Sequence, residues 1–344
     1  MKKSKNILII RTDRIGDVVL TLPMAEILKK KYRDSKITFL LREYTEPLAR
    51  NNKFIDQIIT LKSDPRELSF SEINEIFKNQ NFNMVFVVSP EPKLALAALI
   101  NRVNVRIGSG YRWYSFLFNR KIYEHRKYGR KHELEHNIEM LKSIGINHQI
   151  TTKNVHFNIH SDIKSGQIVQ NWLKSKNLGN GLKTVIVHPG SGGSAVDLPI
   201  NSMKELVFKL ASELNINLII SGSKAEIDLC NDVKGKSNAI VVAGEFNLEE
   251  FIALIANSDM LIANSTGPIH IAAALGKWVV GFYPKVASCS ETRWGPYSKK
   301  KIIFEPETDC RNCTVKQCAE TKCMNSININ KVFEQIKSII EKKK

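Results

Sequence analysis

Three short stretches carry residue types that could act together chemically. The first is RTDRIGD, residues 11–17, which sets Asp13 and Asp17 four apart around Gly16, directly after the apolar run Ile7–Ile10. A carboxylate in a loop at the end of a strand is placed to take a proton from a hydroxyl, as a general base does. The second is HPGSGGS, residues 188–194, after the apolar run from Thr184. It is a candidate phosphate cradle but matches neither GxGxxG nor the P-loop pattern, so a dinucleotide or P-loop ATPase reading is weak. The third is NSTGPIH, residues 264–270, between the apolar runs Met260–Ala263 and Val279–Phe282. Asn264, Ser265, Thr266 and Gly267 suit a tight turn, Pro268 suits a first helical turn, and Gly276 can end the helix that follows. A helix start gathers free N–H groups and partial positive charge. Ser265, Thr266 and His270 beside it complete a natural phosphate site. Each stretch also has a plainer reading. On spacing alone Asp17 is better explained as a helix N-cap, and the NSTGP turn is as well explained as an ordinary strand–helix corner.

These loops need elements to hold them, and the pattern supplies them twice. Strand candidates at Ile7–Ile10, Ile37–Leu41, around Ile58, Met84–Val88 and Val103–Ile107 alternate with helical stretches at Val18–Tyr32, 71–80 and Leu94–Ile100. Pro23 falls inside the first helix, so that helix bends or starts late. Strands at Thr184–His188, Asn217–Ser221, Ala239–Val242, Met260–Ala263 and Val279–Phe282 repeat the scheme with helices at 166–175, Leu206–Leu214 and Leu248–Ala256. Alternation of this kind implies an α/β protein with parallel sheets covered on both faces. Ligands then bind beyond the carboxyl ends of the strands, where all three loops fall. The expected division is 1–160, 161–326 and a basic C-terminal helix, 327–344.

The chain has 344 residues, 43% hydrophobic and 8% aromatic, the composition of a globular protein rather than a disordered one. The start MKKSKN is followed by only four apolar residues before Arg11. That is too short for a signal peptide, and no stretch approaches a transmembrane length, so the chain is expected to be cytoplasmic or peripheral. The formal net charge is +17. Residues 1–170 hold 29 Lys and Arg against 17 Asp and Glu, net +12, leaving 22 against 17, net +5, for the rest. An anionic partner on the first half fits this asymmetry, and so does a plain lysine bias.

The motifs resemble glycosyltransferase family 9, the bacterial ADP-heptose:lipopolysaccharide heptosyltransferases. The resemblance runs in order through ILIIRTDRIGDVVLTLP, RIGSGYR, HELEHNIEML, HPGSGG, NSTGPIHIAAALG and RWGP to the terminal cysteines. It implies two facing Rossmann-like domains (the GT-B type) with a deep cleft between them. It also implies inverting transfer of a sugar, ADP-heptose being the favoured donor, to a hydroxyl of a lipid A-core or other lipid-linked glycan acceptor. By the same resemblance Asp17 is the general base, with Thr12, Asp13 and Gly16 on the acceptor side. The donor would be held by Gly190, Ser191, Glu226, Phe246, Ser265, Thr266, Gly267, Pro268 and His270. One departure stands out. Family members often carry Lys or Arg a few residues after the glycine-rich loop, and this chain has Val196, Asp197, Leu198 and Pro199; Lys224 or Arg293 would have to substitute.

No acidic pair resembling a metal–nucleotide motif is present, so transfer is expected to need no metal. Cys310, Cys313, Cys318 and Cys323 form C-x2-C-x4-C-x4-C, which could hold one structural zinc or pack as reduced thiols. Residues 108–131 interleave seven cations with seven aromatic rings. Such a segment suits an anionic membrane surface, or folds as a hairpin with its rings inside. Two other functions remain: a nucleotide-sugar epimerase of the same architecture, and a basic nucleic-acid-binding protein. Segment 108–131 lacks any recognisable RNA-binding motif, so no nucleic-acid partner is expected.

Overall fold

Ile7, Leu8, Ile9 and Ile10 have no exposed surface, and neither do Leu261, Ile262 and Ala263. Runs that are apolar on both faces must be covered on both faces, and that demand organises each half of the chain around a parallel sheet. The computed structural model describes residues 5–78, 80–308 and 313–342, without the Lys127 side chain. It divides into a first unit, Met1–Arg126 with Glu133–His160, and a second, Lys127–His132 with Ser161–Lys344.

In the first unit the strands are β1 (Asn6–Ile10), β2 (Lys36–Arg42), β3 (Gln57–Leu61), β4 (Met84–Val87), β5 (Val105–Ser109) and β6 (Arg120–Ile122). They lie in the order β3-β2-β1-β4-β5-β6 and every pairing is parallel. The order reverses between β1 and β4, which places a ligand crevice beyond the ends of those two strands. The structure shows two helices, Ile15–Val19 and Pro23–Lys31, where the pattern suggests one. Pro23 takes the first position of the second, where its missing N–H costs nothing. Asp17 is not an N-cap. It is the third residue of its helix, whose N-cap is Arg14, so the capping explanation is removed. Nor do residues 108–131 form a hairpin. They hold β6, a three-residue edge strand parallel to β5, between two short 3-10 turns.

The second unit contains β7 (Lys183–His188), β8 (Ile216–Ile220), β9 (Ile240–Val241), β10 (Met260–Asn264), β11 (Trp278–Phe282) and β12 (Lys301–Phe304), ordered β12-β11-β10-β7-β8-β9. These pairings too are parallel, and the reversal falls between β7 and β10. The C-terminal helix, Ile329–Ile340, lies in this unit. It packs on the helix Ile200–Glu213 and buries Val332, Phe333 and Ile336 in the core. Among the described residues no helix is long and apolar enough to cross a membrane.

Candidate functional site

At the crevice of the first unit, the chain leaving β1 carries Arg11, Thr12 and Asp13, and the chain leaving β4 carries Ser89. Thr12 Oγ1 donates to Ser89 Oγ at 3.2 Å, and Ser89 Oγ donates to Asp13 Oδ1 at 2.7 Å. Arg11 is buried and binds three carboxylates. Its Nε stands 3.1 Å from Asp13 Oδ2, while Nη2 pairs with Asp17 Oδ1 and reaches Glu133 Oε1 at 3.4 Å. Asp17 keeps 17% of its side chain exposed, whereas Glu133 keeps only 2%. Burial raises the Asp17 pKa above the ordinary carboxylate range; Arg11 opposes this, and the charges of Asp13 and Glu133 add to it. The Arg11 guanidinium is held charged by its carboxylates against the cost of burial. The arrangement is a largely buried carboxylate with raised pKa, fixed by a buried cation and still open to solvent on one side, a combination that suits proton abstraction.

Glu133 enters from HELEHNIEML, a motif for which sequence reasoning offered no individual roles. The helix Glu133–Glu139 turns residues 133, 136 and 137 to one side. Glu133 also pairs with Arg126 Nη1, and His136 Nδ1 donates to Glu124 Oε2 at 2.9 Å. Asn137, fully buried, donates to Leu20 O at 3.0 Å and Thr21 Oγ1 at 3.1 Å, tying this helix to the junction behind Asp17. Arg126 is one of the seven cations of residues 108–131, and its bond to a buried glutamate makes it part of this network.

In the second unit the ends of β8, β7 and β10 bring together Gly222–Glu226, the loop Pro189–Pro199 and the turn Asn264–Gly267. Asn264 has no exposed surface; its Oδ1 accepts from Leu198 N at 2.9 Å and its Nδ2 donates to Pro189 O at 2.6 Å. One amide thus fixes both ends of the glycine-rich loop against the turn. Sequence reasoning gave it no such role. Gly192 and Gly193 take φ of +56° and +73°, the left-handed region that glycine enters cheaply. Gly190 is needed for a different reason: a Cβ there would collide with Glu226 Oε1. Glu226 Oε2 accepts from Ser223 N and Oγ, both at 2.8 Å, so a capping box orients Oε1 toward Gly190.

The helix Gly267–Ala274 starts after Thr266, which is its N-cap yet makes no side-chain cap bond, with Pro268 in the first turn. Ser265 is buried against Tyr283, whose own hydroxyl donates to Trp294 O at 3.1 Å. His270 is buried, and its Nδ1 makes no hydrogen bond among the described residues. Burial first, then the nearby His132, pushes its pKa down to about 3, so the ring is neutral. His132 Nε2 donates to Gly295 O at 2.7 Å, which fastens the crossing segment Lys127–His132 to this unit and accounts for RWGP. His136 Nε2 is a second buried ring nitrogen without a partner among the described residues; what sets His270 apart is its place in the first turn of a helix whose N-cap side chain makes no bond. Phe246 is half-buried, edge-on to Trp172 at 5.3 Å between ring centroids.

The position where a cation was expected is accounted for locally. Val196 packs against the apolar cluster of Val286, Cys289 and Cys318. Asp197 lies beside Ser191 with its pKa pushed up to about 6, mainly by burial. Lys224 lies in the turn before Glu226, alongside Gly244. Arg293 sits over the Trp294 ring, 5.0 Å from its centroid. Of the cysteine run, Cys313, Cys318 and Cys323 join that same cluster together with Cys289. Cys310 lies outside the described residues, and among those described no group of three His, Cys, Asp or Glu has metal-site geometry.

Two parallel sheets, each with a polar constellation at its switch point, define a ligand-binding α/β protein. The family model "Glycosyltransferase family 9 (heptosyltransferase)" matches residues 69–324, and the chain belongs to that family. It is a glycosyltransferase with the GT-B fold. A glycosyl transferase family 9 structure from Veillonella parvula superposes with a TM-score of 0.83 at 19% identity, covering 99% of this chain and 98% of that one. The ADP-heptose lipopolysaccharide heptosyltransferase II of E. coli gives 0.77 at 17% identity, with 97% and 98% covered. Lipopolysaccharide heptosyltransferase 1 of Campylobacter coli is 24% identical over 286 residues, 79% of this chain and 81% of its own.

Proposed function

We propose that this glycosyltransferase moves a heptose from ADP-heptose to a hydroxyl of a lipopolysaccharide core acceptor with inversion, and that Asp17 is the general base. The observation that carries the proposal is the largely buried Asp17 carboxylate, raised in pKa and oriented by Arg11. The acceptor oxygen attacks the anomeric carbon as its proton passes to an Asp17 oxygen, and the bond from that carbon to the diphosphate oxygen breaks. Thr12, Asp13 and Gly16 shape the acceptor side. On the second unit the departing diphosphate meets the Thr266 hydroxyl, the N–H groups of Gly267 and its neighbours, and His270 Nδ1, with Pro268 and Ser265 holding the turn. Gly190 and Ser191 line the phosphate loop, the Glu226 carboxylate faces the ribose hydroxyls, and Phe246 flanks the base. These donors are neutral or dipolar, and no metal cofactor is required. The cysteine run is structural, whether or not it holds zinc. The acceptor is lipid-linked, so the enzyme works at the cytoplasmic face of an anionic membrane and has no nucleic-acid partner.

Support for the donor comes from the likeness to the E. coli ADP-heptose lipopolysaccharide heptosyltransferase II. Support for a second reading, a different nucleotide sugar serving another surface glycan, comes from Val196 and Asp197 standing where a cation was expected. One experiment separates these from each other and from an epimerase. The purified enzyme is given a panel of nucleotide sugars with and without a heptose-deficient core lipid, and products are read by mass spectrometry and anomeric NMR. Inverted heptose on the lipid from ADP-heptose alone is expected. Conversion of a donor without acceptor would overturn the transferase reading.

A further inference from the structure

The helix Pro92–Ile100 buries Leu94, Ala95, Ala97 and Ala98 in the first unit's core. A helix on a solvated surface would carry charge on its other side. Here that side shows Leu96, Leu99 and Ile100, spaced i, i+3 and i+4, and exposed by 36%, 38% and 53%. The 3-10 turn Ser115–Leu117 packs beside this helix. Tyr114, Leu117 and Phe118 anchor the turn inward, which leaves Trp113 and Phe116 facing out at 79% and 68% exposure. Gly108 is required by the same anchoring, since a Cβ there would strike the Phe118 ring. Of the fifteen large exposed hydrophobic side chains among the described residues, seven lie between Leu96 and Tyr123. They are not scattered, and clustering of this kind marks an interaction surface.

The charge on the same stretch says what covers it. From Pro92 to Tyr123 the sequence has six Lys and Arg and no Asp or Glu. Arg102, Arg112, Arg120 and Lys121 are exposed, the last two on the edge strand β6. Arg106 is spent internally, donating to Leu117 O at 2.8 Å and Val103 O at 2.7 Å. We propose that the exposed face of Pro92–Ile100, together with Trp113 and Phe116, is a membrane-docking surface that inserts its apolar side chains at the headgroup boundary of an anionic bilayer. Exposed aliphatic groups enter the acyl edge, aromatic rings sit at headgroup level, and the rim of arginines binds lipid phosphates. A second copy of the chain is a poorer occupant. An isologous contact would set the cations Arg102, Arg112, Arg120 and Lys121 against their own copies. Within residues 108–131, Arg126 is tied to Glu133 and Lys127–His132 belong to the second unit, so the cations of this surface are Arg112, Arg120 and Lys121 with Arg102 beside them.

The test uses the full chain and vesicles of phosphatidylethanolamine with phosphatidylglycerol, against phosphatidylcholine vesicles, with neither donor nor acceptor present. Failure here would therefore leave the transfer reading standing. Sedimentation should show binding to the anionic vesicles alone. Trp113→Ser with Phe116→Ser should weaken it at least about tenfold, since two exposed rings are removed. Arg112→Ser with Arg120→Ser and Lys121→Ser should weaken it on the order of a hundredfold. All five side chains are exposed, so the variants fold, which unchanged melting temperatures will verify. Unchanged binding in either variant overturns the proposal. So does a dimer in sedimentation velocity that Trp113→Ser with Phe116→Ser abolishes while vesicle binding is absent.

Discussion

Replacing Asp17 by Asn tests the chemistry and the architecture of the first site together. The network around Arg11 holds two cations, Arg11 and Arg126, against three carboxylates, Asp13, Asp17 and Glu133. Asparagine leaves two of each, so the folded state loses no net compensation, and the expected change in stability is within about 1 kcal/mol. Removing Arg11 would behave differently. Three carboxylates would be stranded around a buried position, at a cost of about 3–5 kcal/mol. Turnover should fall by roughly 10²–10⁴ in Asp17→Asn, the contribution of a positioned base, equivalent to about 3–5 kcal/mol of barrier. Donor affinity should stay within about twofold, because Asp17 belongs to the first unit and the residues proposed to hold the nucleotide all belong to the second.

The pH dependence follows with a definite sign. An acid whose folded pKa is raised contributes stability below its unfolded pKa and loses it as pH rises through the folded value. Asp17→Asn should therefore gain on the wild type in melting temperature as pH rises past the ordinary carboxylate range. In the wild type, activity should rise over that same window as Asp17 ionises, and the variant should lack this limb. Steady-state ADP release from pH 5 to 8, with scanning fluorimetry alongside, reads both quantities. A variant that turns over within about fivefold of the wild type would refute the assignment. So would Asp13→Asn giving the larger loss.

On the second unit, Thr266→Val with Gly267→Ala should weaken ADP binding well beyond calorimetric error in a protein that remains folded, because a hydroxyl and close backbone approach are lost together; unchanged affinity would reduce the turn to a structural corner. Asp197 ionises near pH 6 beside the glycine-rich loop proposed to hold the phosphates, so affinity for a nucleotide sugar, whose phosphates do not titrate there, should fall up to roughly tenfold between about pH 5.5 and about pH 7.5. Asp197→Asn should flatten that fall, and calorimetry at the two pH values decides it. Prolonged EDTA treatment should leave turnover unchanged; loss of activity restored by a divalent ion would show that a metal takes part.

The sheets were legible because their strands are continuous apolar runs of β length bounded by loop residues. The loops were legible because in parallel sheets such loops collect at the carboxyl ends. The short edge strands were not. Arg120–Ile122 carries two charges in three residues, and Lys301–Phe304 follows a run of lysines, so neither shows the two-sided burial that marks β1 or β10. Pro23 was read correctly as an interruption, but local pattern could not place Asp17 inside a helix of five residues, which is below the length at which periodicity speaks.

What sequence could not reach is the set of contacts that turns these loops into sites. Arg11 and Glu133 are 122 positions apart, and Asn264 reaches back 75 positions to Pro189. Each of these is a polar residue at a buried position, and such residues reach the interior only when their bonds are met. That rule carries the information a single sequence lacks. Arg11, Glu133 and Asn137 are nearly or wholly buried, and each has found partners inside its own unit. His270 has an equally buried ring nitrogen and none among the described residues. Arg11 Nε and Asn137 Oδ1 also make no hydrogen bond among the described residues, yet each of those side chains is anchored by its other atoms. His270 differs in its place, at a helix start beside an unused threonine hydroxyl, where the diphosphate of the proposed donor would supply the bond its Nδ1 lacks.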